Sequence, residues 1–443
     1  MSTPATDTSR EIGFVRALGL ERHEYVAVAW SFAYFFCVLS SYYMLRPMRE
    51  AMGVASGATT IPYLFTSTFF VMMLVSPIFS WIASRFPRKR FLPWVYYFFA
   101  ANILIFYAVF SWALDRDMDL VWIGRVFFVW ISVFNLFVVS VFWSFMADVY
   151  TREQGRRLFG VISAGGSAGA LAGPFATGQL VEQLGFQNLL PVSAGLLLVG
   201  VVCIYRLRAW VEAEHRDEIT QTMASSKPLG GGAFTGIEHV ARSPYFLAIC
   251  AISVIASLLG TALYMFMAEL VGQTIEGNDA RTRLFSHIDL ATGVGSLLIQ
   301  LLLVKQSIKK LGIGWTLAIF PLMSLVGFAL LALHPVMLFV AVFQAARRAI
   351  GFGFTKPSMD MLYSVVTPEE KYKAKNFIDT AVYRGGDLVG TWSVKAMWAL
   401  GISGIAVVLV PFALIWTLIA LWLGREYRRR DAAGGLNPTG ETT

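Results

Sequence analysis

The stretch TREQGRRLFGVI at residues 151–162 returns as TPEEKYKAKNFI at residues 367–378, a distance of 216 residues that aligns Glu153 with Glu369 and Ile162 with Ile378. Further along the same register, Gly169 falls on Gly385. The basic turn Arg85, Arg88, Lys89 has a counterpart at Gln306, Lys309, Lys310 at a slightly larger offset. Each repeat leads from a basic segment into an apolar run. The repetition divides the chain into two related halves, the arrangement of proteins that place two helical bundles about an axis along the membrane normal.

Outward from the repeat, the apolar stretches are long enough to cross a bilayer, where about 20 residues span the hydrocarbon. Spans are predicted at 26–45, 61–83, 91–114, 120–146, 159–180, 189–207, 245–270, 284–304, 313–333, 336–354, 380–400 and 405–423. The connections are strongly basic every second time. The basic set comprises Arg10, Arg16 and Arg22, then Arg85 to Arg90, Arg152 to Arg157, Arg206 to Arg242, Lys305 to Lys310, Lys356 to Lys375, and Arg425 to Arg430. The intervening loops hold Arg116 among Asp115, Asp117 and Asp119, a stretch around Glu182 without Lys or Arg, and Arg281 and Arg283 beside Glu276 and Asp279. Because basic loops stay on the cytoplasmic side, both ends are predicted there. The fold class is therefore an all-α polytopic membrane protein of 12 transmembrane helices in two pseudo-symmetric six-helix bundles.

The predicted organisation is a cytoplasmic arm at 1–25, a six-helix bundle at 26–207, a cytoplasmic linker at 208–243, a second bundle at 244–424 and a basic tail at 425–443. The linker carries Ser225, Ser226, Lys227, Pro228 and the run Gly230 to Gly232. The first twenty residues lack an apolar h-region, so the first span is expected to direct insertion itself.

Composition agrees. With 56% hydrophobic and 14% charged residues, a soluble fold would be unable to cover its surface with polar groups. The net charge of +8 is scattered over short loops and reads as topology, with no nucleic acid among the expected partners. Cys37, Cys203 and Cys250 lie in apolar spans at spacings that build no disulfide or metal framework. The chain has no G-x-x-x-x-G-K-[ST] loop and no H-E-x-x-H, and its five histidines are dispersed. No enzymatic activity and no cofactor is expected; the partners are a small-molecule anionic substrate and the lipid bilayer, with the chain a monomer.

Charges inside the spans carry the functional reading. Arg347 and Arg348 fall about eleven residues into the tenth span, roughly mid-bilayer at about 1.5 Å per residue. Charge at that depth costs several kcal/mol and demands a cavity, a carboxylate or a ligand. Adjacent helical positions diverge by about 100°, so the two arginines point in different directions. Arg46 and Arg49, with Glu50, close the first span and either anchor it at the interface or attract an anion, since guanidinium groups grip phosphate or carboxylate oxygens with two donors. Arg384 and Asp387 sit three apart on one helix face, where they can neutralise each other. Arg125 either snorkels to the headgroups or pairs with Asp289; Asp289 is a partner for Arg125 or Arg347, or a proton carrier. Asp379 precedes this group near the membrane surface.

The turn SWIASRFPRKRFL from Ser80 resembles the loop signature of the major facilitator superfamily. Arg85, Arg88 and Arg90 keep its basic cluster. Ser80, Ser84 and Pro87 replace its first glycine, its acid and its second glycine, and Asp148 is the candidate substitute for the acid. In the fifth span, Gly160, Gly169, Gly173, Pro174 and Gly178 are similar to the antiporter signature of the superfamily's exporters, with Thr177 where a glycine is expected. That pattern serves either helix mobility or tight packing. A second resemblance is to the nucleotide translocases of plastids and obligate intracellular bacteria, carried by SYYMLRPMREAMG from Ser41 and EEKYKAKNFIDTAVYRGGD from Glu369. It implies exchange of the ATP-for-ADP kind, with Arg46, Arg49, Glu50 and Asp379 in matching positions. That family has a lysine in the glycine-rich turn where this chain has Arg384, Gly385, Gly386 and Asp387, and an added acid beside a phosphate site repels nucleotide.

Taken together, these residues predict a secondary transporter of the bacterial inner membrane that alternates access to a site between its halves. The substrate-binding set is Arg46, Arg49, Arg347, Arg348 and Arg384, with a proton-coupled exporter and a non-transporting receptor as the competing readings. The orientation is testable once Cys37, Cys203 and Cys250 are replaced by serine. Asp117→Cys should then react with an impermeant maleimide on intact cells and Ser226→Cys only after permeabilisation; the opposite labelling would reverse the assigned sides.

Overall fold

The computed structural model describes residues 21–85, 88–214, 240, 243–367, 374–375 and 377–432. These residues form helices and short turns, with no strand among them. The reason is solvent: lipid offers no hydrogen-bond partner, so each backbone N–H must find its carbonyl within the same segment. The helices are α1 Tyr25–Ala55, α2 Ile61–Arg85, α3 Arg88–Leu114, α4 Val121–Val149, α5 Arg152–Leu184, α6 Leu189–Glu214, α7 Pro244–Thr274, α8 Asn278–Leu298, α9 Val304–Leu333, α10 Met337–Ile350, α11 Tyr383–Ala396 and α12 Gly401–Ala432. Ten stretches among the described residues are long and apolar enough to cross a membrane. One of them, Asn278–Leu333, joins α8 to α9, and α11 lies outside the ten. The set is consistent with the twelve spans expected.

Several boundaries differ from the sequence reading for one reason: a helix leaving lipid keeps its backbone hydrogen bonds until a residue breaks them. Lys305 to Lys310, expected as a loop, are helical, because α8 passes through a π turn at Ile299–Leu303 directly into α9. The break comes at Gly312, whose φ of 77° is open to glycine and strained for other residues. Likewise α6 runs on to Glu214, into the expected linker, and α12 to Ala432, into the expected tail. Beyond α10 a π turn, Gly351–Thr355, leads into a short helix, Lys356–Leu362.

The described chain groups into two compact units. The first comprises Met1–Met52, Val71–Lys227 and Gly277–His287; the second Gly53–Phe70, Pro228–Glu276 and Ile288–Thr443. The first unit is packed around aromatic rings. Phe35 stacks on Phe142 at 4.0 Å, and the Tyr34 hydroxyl donates to that of Tyr96, which donates to the Val138 carbonyl at 3.0 Å.

The α1–α5 seam of this unit is built from the glycine pattern. A Cβ on Gly165 or Gly169 would lie 2.4 Å from the carbonyl oxygens of Phe32 and Phe36, and one on Gly173 2.8 Å from that of Ser40. Four-residue spacing puts these glycines on one face, so the two backbones touch. Thr177 continues the face, its hydroxyl donating to the carbonyls of Met44 at 3.1 Å and Gly173 at 3.0 Å. Gly178 faces Ser286 and His287, whereas a Cβ on Gly160 would meet no atom of the described residues within 4 Å. At the other end of the seam, buried Glu24 accepts from Arg157 at 2.8 Å and from Gln154 at 3.1 Å.

In the second unit, the Tyr245 hydroxyl donates to the Leu362 carbonyl at 2.9 Å, Arg430 covers the Tyr245 ring at 4.4 Å, and Phe320 meets Trp416 edge-on at 4.8 Å. Gly314 and Gly424 bring α9 and α12 into backbone contact.

Gly169→Leu places a side chain where the α1 backbone runs. Overpacking of this kind costs about 1–3 kcal/mol or more. The purified variant should melt well below the parent in detergent, while Gly160→Leu should melt within a degree or two of it. Equal losses at both positions would remove the seam as the cause.

Candidate functional site

Each unit concentrates charge at one place inside its helices. In the first unit this is the last two turns of α1. Glu50 is buried, and its Oε1 faces two guanidinium groups, Arg49 Nη1 at 3.2 Å and Arg46 Nε at 4.0 Å. Helical spacing sets the second pair, four residues apart. Arg49 lies over the Phe128 ring at 4.1 Å and Arg46 over Tyr43 at 5.7 Å. Arg125, on α4 one turn before Phe128, lies over Trp122 at 4.5 Å. Two guanidinium groups thus face one carboxylate, and the Nε atoms of Arg49 and Arg125 are buried without a hydrogen-bond partner among the described residues.

In the second unit the charge lies on α8, α10 and α11. Arg347 and Arg348 diverge as adjacent helical residues must. Arg347 is buried, donates from Nη2 to the Ala256 carbonyl of α7 at 2.7 Å, and lies 5.0 Å over the Phe320 ring of α9. Gly260 makes room for it, since a Cβ there would come within 3.1 Å of Nη1. Arg348 turns the other way and donates from Nη1 to Asp289 Oδ1 at 2.6 Å. The Asp289 side chain is 2% exposed and that of Arg348 17%. The ion pair of Asp289 is therefore with Arg348, where the sequence reading had offered Arg125 or Arg347; α10 turns Arg347 toward α7 and leaves its neighbour to reach α8.

Arg384 is exposed on the first turn of α11, and Asp387 lies in electrostatic range of Arg347 and Tyr383. The π turn Ile378–Val382 directly precedes Tyr383, and the turn Gly351–Thr355 directly follows the α10 arginines, with the Gly351 N–H donating to both their carbonyls. π turns of this kind recur at functional sites because they re-aim the side chains around them. Gln300 Nε2 donates to the Phe352 carbonyl at 3.0 Å, tying the α8 π turn to that of α10.

The structure does not bring every expected residue into these clusters. Asp148 is exposed at the end of α4. The side chains of Arg85, Arg88, Arg90 and Asp379 lie outside the described residues. Gly169 and Gly173 belong to the α1–α5 seam, with Pro174 inside α5 beside them. Sequence reasoning missed Thr292, Gln344 and Tyr383. The signal for the first two was available, because Thr292 is one turn from Asp289 on α8 and Gln344 one turn from Arg348 on α10.

Membrane-length helices that carry arginines within them, one buried and others ion-paired, define a polytopic membrane protein. The chain belongs to the Major Facilitator Superfamily, whose model matches residues 36–391. It is similar to ADP,ATP carrier protein 2 of Chlamydia pneumoniae, 22% identical across 90% of this chain and 88% of that one. It is also similar to ADP,ATP carrier protein 1 of the same organism, 21% identical across 91% and 90%. Among solved structures, it resembles a POT family transporter in complex with a thioalcohol-conjugated peptide, with a TM-score of 0.60 at 13% identity over 90% of this chain and 96% of that one. A bacterial homologue of the iron transporter ferroportin aligns with a TM-score of 0.59 at 13% identity, covering 92% and 98%. These two likenesses are of fold.

The Asp289–Arg348 pair invites a double-mutant cycle. Arg348→Gln strands a buried carboxylate, a change that costs about 3–5 kcal/mol when the charge persists. Asp289→Asn with Arg348→Gln removes both charges and should melt above Arg348→Gln alone. Additive losses in the double variant would show that the pair contributes no coupling.

Proposed function

We propose that the chain is a secondary transporter that carries an anionic small solute by alternating access, with exchange of phosphorylated solutes of the nucleoside tri- and diphosphate kind as the leading class. The observation that carries this reading is the set of guanidinium donors held inside the helices without an acceptor. Arg46 and Arg49 face Glu50, and the Nε atoms of Arg49, Arg125 and Arg347 are buried without a hydrogen-bond partner among the described residues. An unpaired buried donor costs about 1–3 kcal/mol, more when charged, and an anionic oxygen supplies the missing acceptor. The names of the similar carriers of Chlamydia pneumoniae support the nucleotide class. In this reading each unit offers an anion its own donors, Arg46 and Arg49 in the first and Arg348 and Arg384 in the second; Glu50, Asp289 and Asp387 hold the arginines between binding events; Arg347 braces α7. In this reading the protein is a monomer of the bacterial inner membrane with both termini cytoplasmic, and it performs no covalent chemistry.

A proton-coupled exporter is the second reading, favoured by the buried carboxylate of Asp289. Proton dependence of flux without dependence on a counter-substrate selects it, whereas a protein that binds solutes specifically but moves none would be a receptor.

Thermal melting of the purified chain against nucleotides, sugar phosphates, carboxylates and hydrophobic cations decides the substrate class, because a ligand that binds the folded state stabilises it. ATP and ADP should raise the melting temperature of the parent protein. Arg49→Gln should weaken that response at least tenfold in ligand concentration. Indifference to every anion, with a response to the cations, would overturn the anionic reading.

A further inference from the structure

The outer faces of α9 and α12 change character together toward one end. Along α12, Leu414, Leu418, Trp422, Arg425 and Arg429 recur every three or four residues and are all exposed, so one stripe of the helix passes from aliphatic to aromatic to basic. On α9 the exposed stripe Leu330, Val326, Leu322 and Trp315 runs the same way toward Lys310 and Lys309, which are exposed as well. Gly314 meets Gly424 backbone to backbone, and Phe320, later in α9, meets Trp416, earlier in α12. The two helices are therefore antiparallel neighbours. Trp315 and Trp422 both lie within one turn of the glycine contact, and the two basic ends reach the same level.

Little on these helices offsets the cations. The sequence of α9 holds no acid, and α12 ends with Glu426 and Asp431. Glu426 is half-buried and already accepts from Arg429 at 2.8 Å and Arg430 at 3.0 Å. Arg430 turns inward over the Tyr245 ring and Tyr427 reaches Ser364, so these two fasten α12 to its own unit. That leaves Asp431 as the exposed acid of the two helix ends, against exposed Lys305, Lys309, Lys310, Arg425 and Arg428. The segment 304–311, which bears the lysines, is bounded by the π turn Ile299–Leu303 and by the break at Gly312. The leucines at its two edges, Leu303 and Leu311, are exposed.

Exposed leucines beside exposed lysines make a surface that is oily on one side and charged on the other, and tryptophan sits at the headgroup level of a bilayer. Arg425 lies about 4.5 Å beyond Trp422 along the helix axis and Arg429 about 10 Å, a reach that crosses a headgroup layer roughly 5–8 Å thick. We propose that this face binds an acidic phospholipid, with its acyl chains along Leu322 and Leu418, its glycerol level with Trp315 and Trp422, and its phosphate on Lys309 and Arg425. Ammonium and guanidinium donors hold phosphate oxygens, and the surplus of positive charge selects a headgroup with net negative charge over a zwitterionic one. A second copy of the chain docked here would set like charges opposite one another across a two-fold contact. A soluble anion would leave the exposed leucines uncovered.

Spin-labelled lipids test the site on the full chain reconstituted in phosphatidylcholine vesicles. Labelled phosphatidylglycerol should show a larger motionally restricted fraction than labelled phosphatidylcholine, and added salt should shrink the difference. Lys309→Gln with Arg425→Gln should lower that preference roughly threefold or more, and Lys310→Gln with Arg428→Gln should lower it too, so that one variant suffices if the other fails to fold. Arg156→Gln with Arg206→Gln removes as much charge from exposed positions on α5 and α6 and should leave the preference as in the parent. An unchanged preference in both α9–α12 variants, or an equal loss in the α5–α6 control, would overturn the site. Displacement of labelled phosphatidylglycerol by inorganic phosphate or glycerol phosphate would assign the cations to a soluble anion and overturn the lipid. Cross-linking of two copies through Leu418→Cys, in a parent whose three cysteines are replaced by serine, would place a second chain on the face and overturn it as well.

Discussion

Hydrocarbon cannot hydrogen-bond, and the architecture of this chain follows from that constraint. The described membrane-crossing segments are helical because a helix satisfies its own backbone, and helices continue past the apolar stretches until a glycine such as Gly312 permits a turn. The same constraint governs side chains. A guanidinium placed in a helix core must find an aromatic face, a carbonyl or a carboxylate, and each described arginine of the two clusters with a named partner does so: Arg49 with Phe128 and Glu50, Arg347 with Ala256 and Phe320, Arg348 with Asp289.

These arrangements differ in what they leave open. Arg347 is held by a backbone carbonyl and an aromatic ring, partners that stay with the fold. Arg348 is held by the Asp289 carboxylate. Position within the helix turn therefore separates an arginine held by a carbonyl and a ring from one held by an ion pair, although the two are adjacent in sequence. Two π turns, Gly351–Thr355 and Ile378–Val382, follow in the same unit.

The first unit is built with the opposite emphasis. Along the α1–α5 seam, glycines let two backbones meet, and side-chain hydroxyls of Ser40 and Thr177 donate across the contact to Gly169 and Met44. Close backbone approach resists sliding, since each glycine has a carbonyl of α1 against it. The glycine pattern therefore serves packing at Gly165, Gly169 and Gly173, and the buried Glu24 with Arg157 and Gln154 ties the same two helices together at their N-terminal ends.

The sequence by itself determined the all-helical membrane class, the run of apolar spans and the residues whose charge inside a span demanded an explanation, because hydropathy, basic loops and depth along a helix are properties of local order in the chain. Its resemblance to the superfamily agrees with the family match. Tertiary structure decided what local order cannot encode: that Asp289 takes Arg348, that Arg347 reaches back to α7, and that Gly169 is pressed against α1 while a Cβ on Gly160 meets no described atom within 4 Å. Each of these depends on which face of one helix meets another. That choice is made by packing between segments far apart in sequence, where a rotation of one residue, about 100°, exchanges one partner for another.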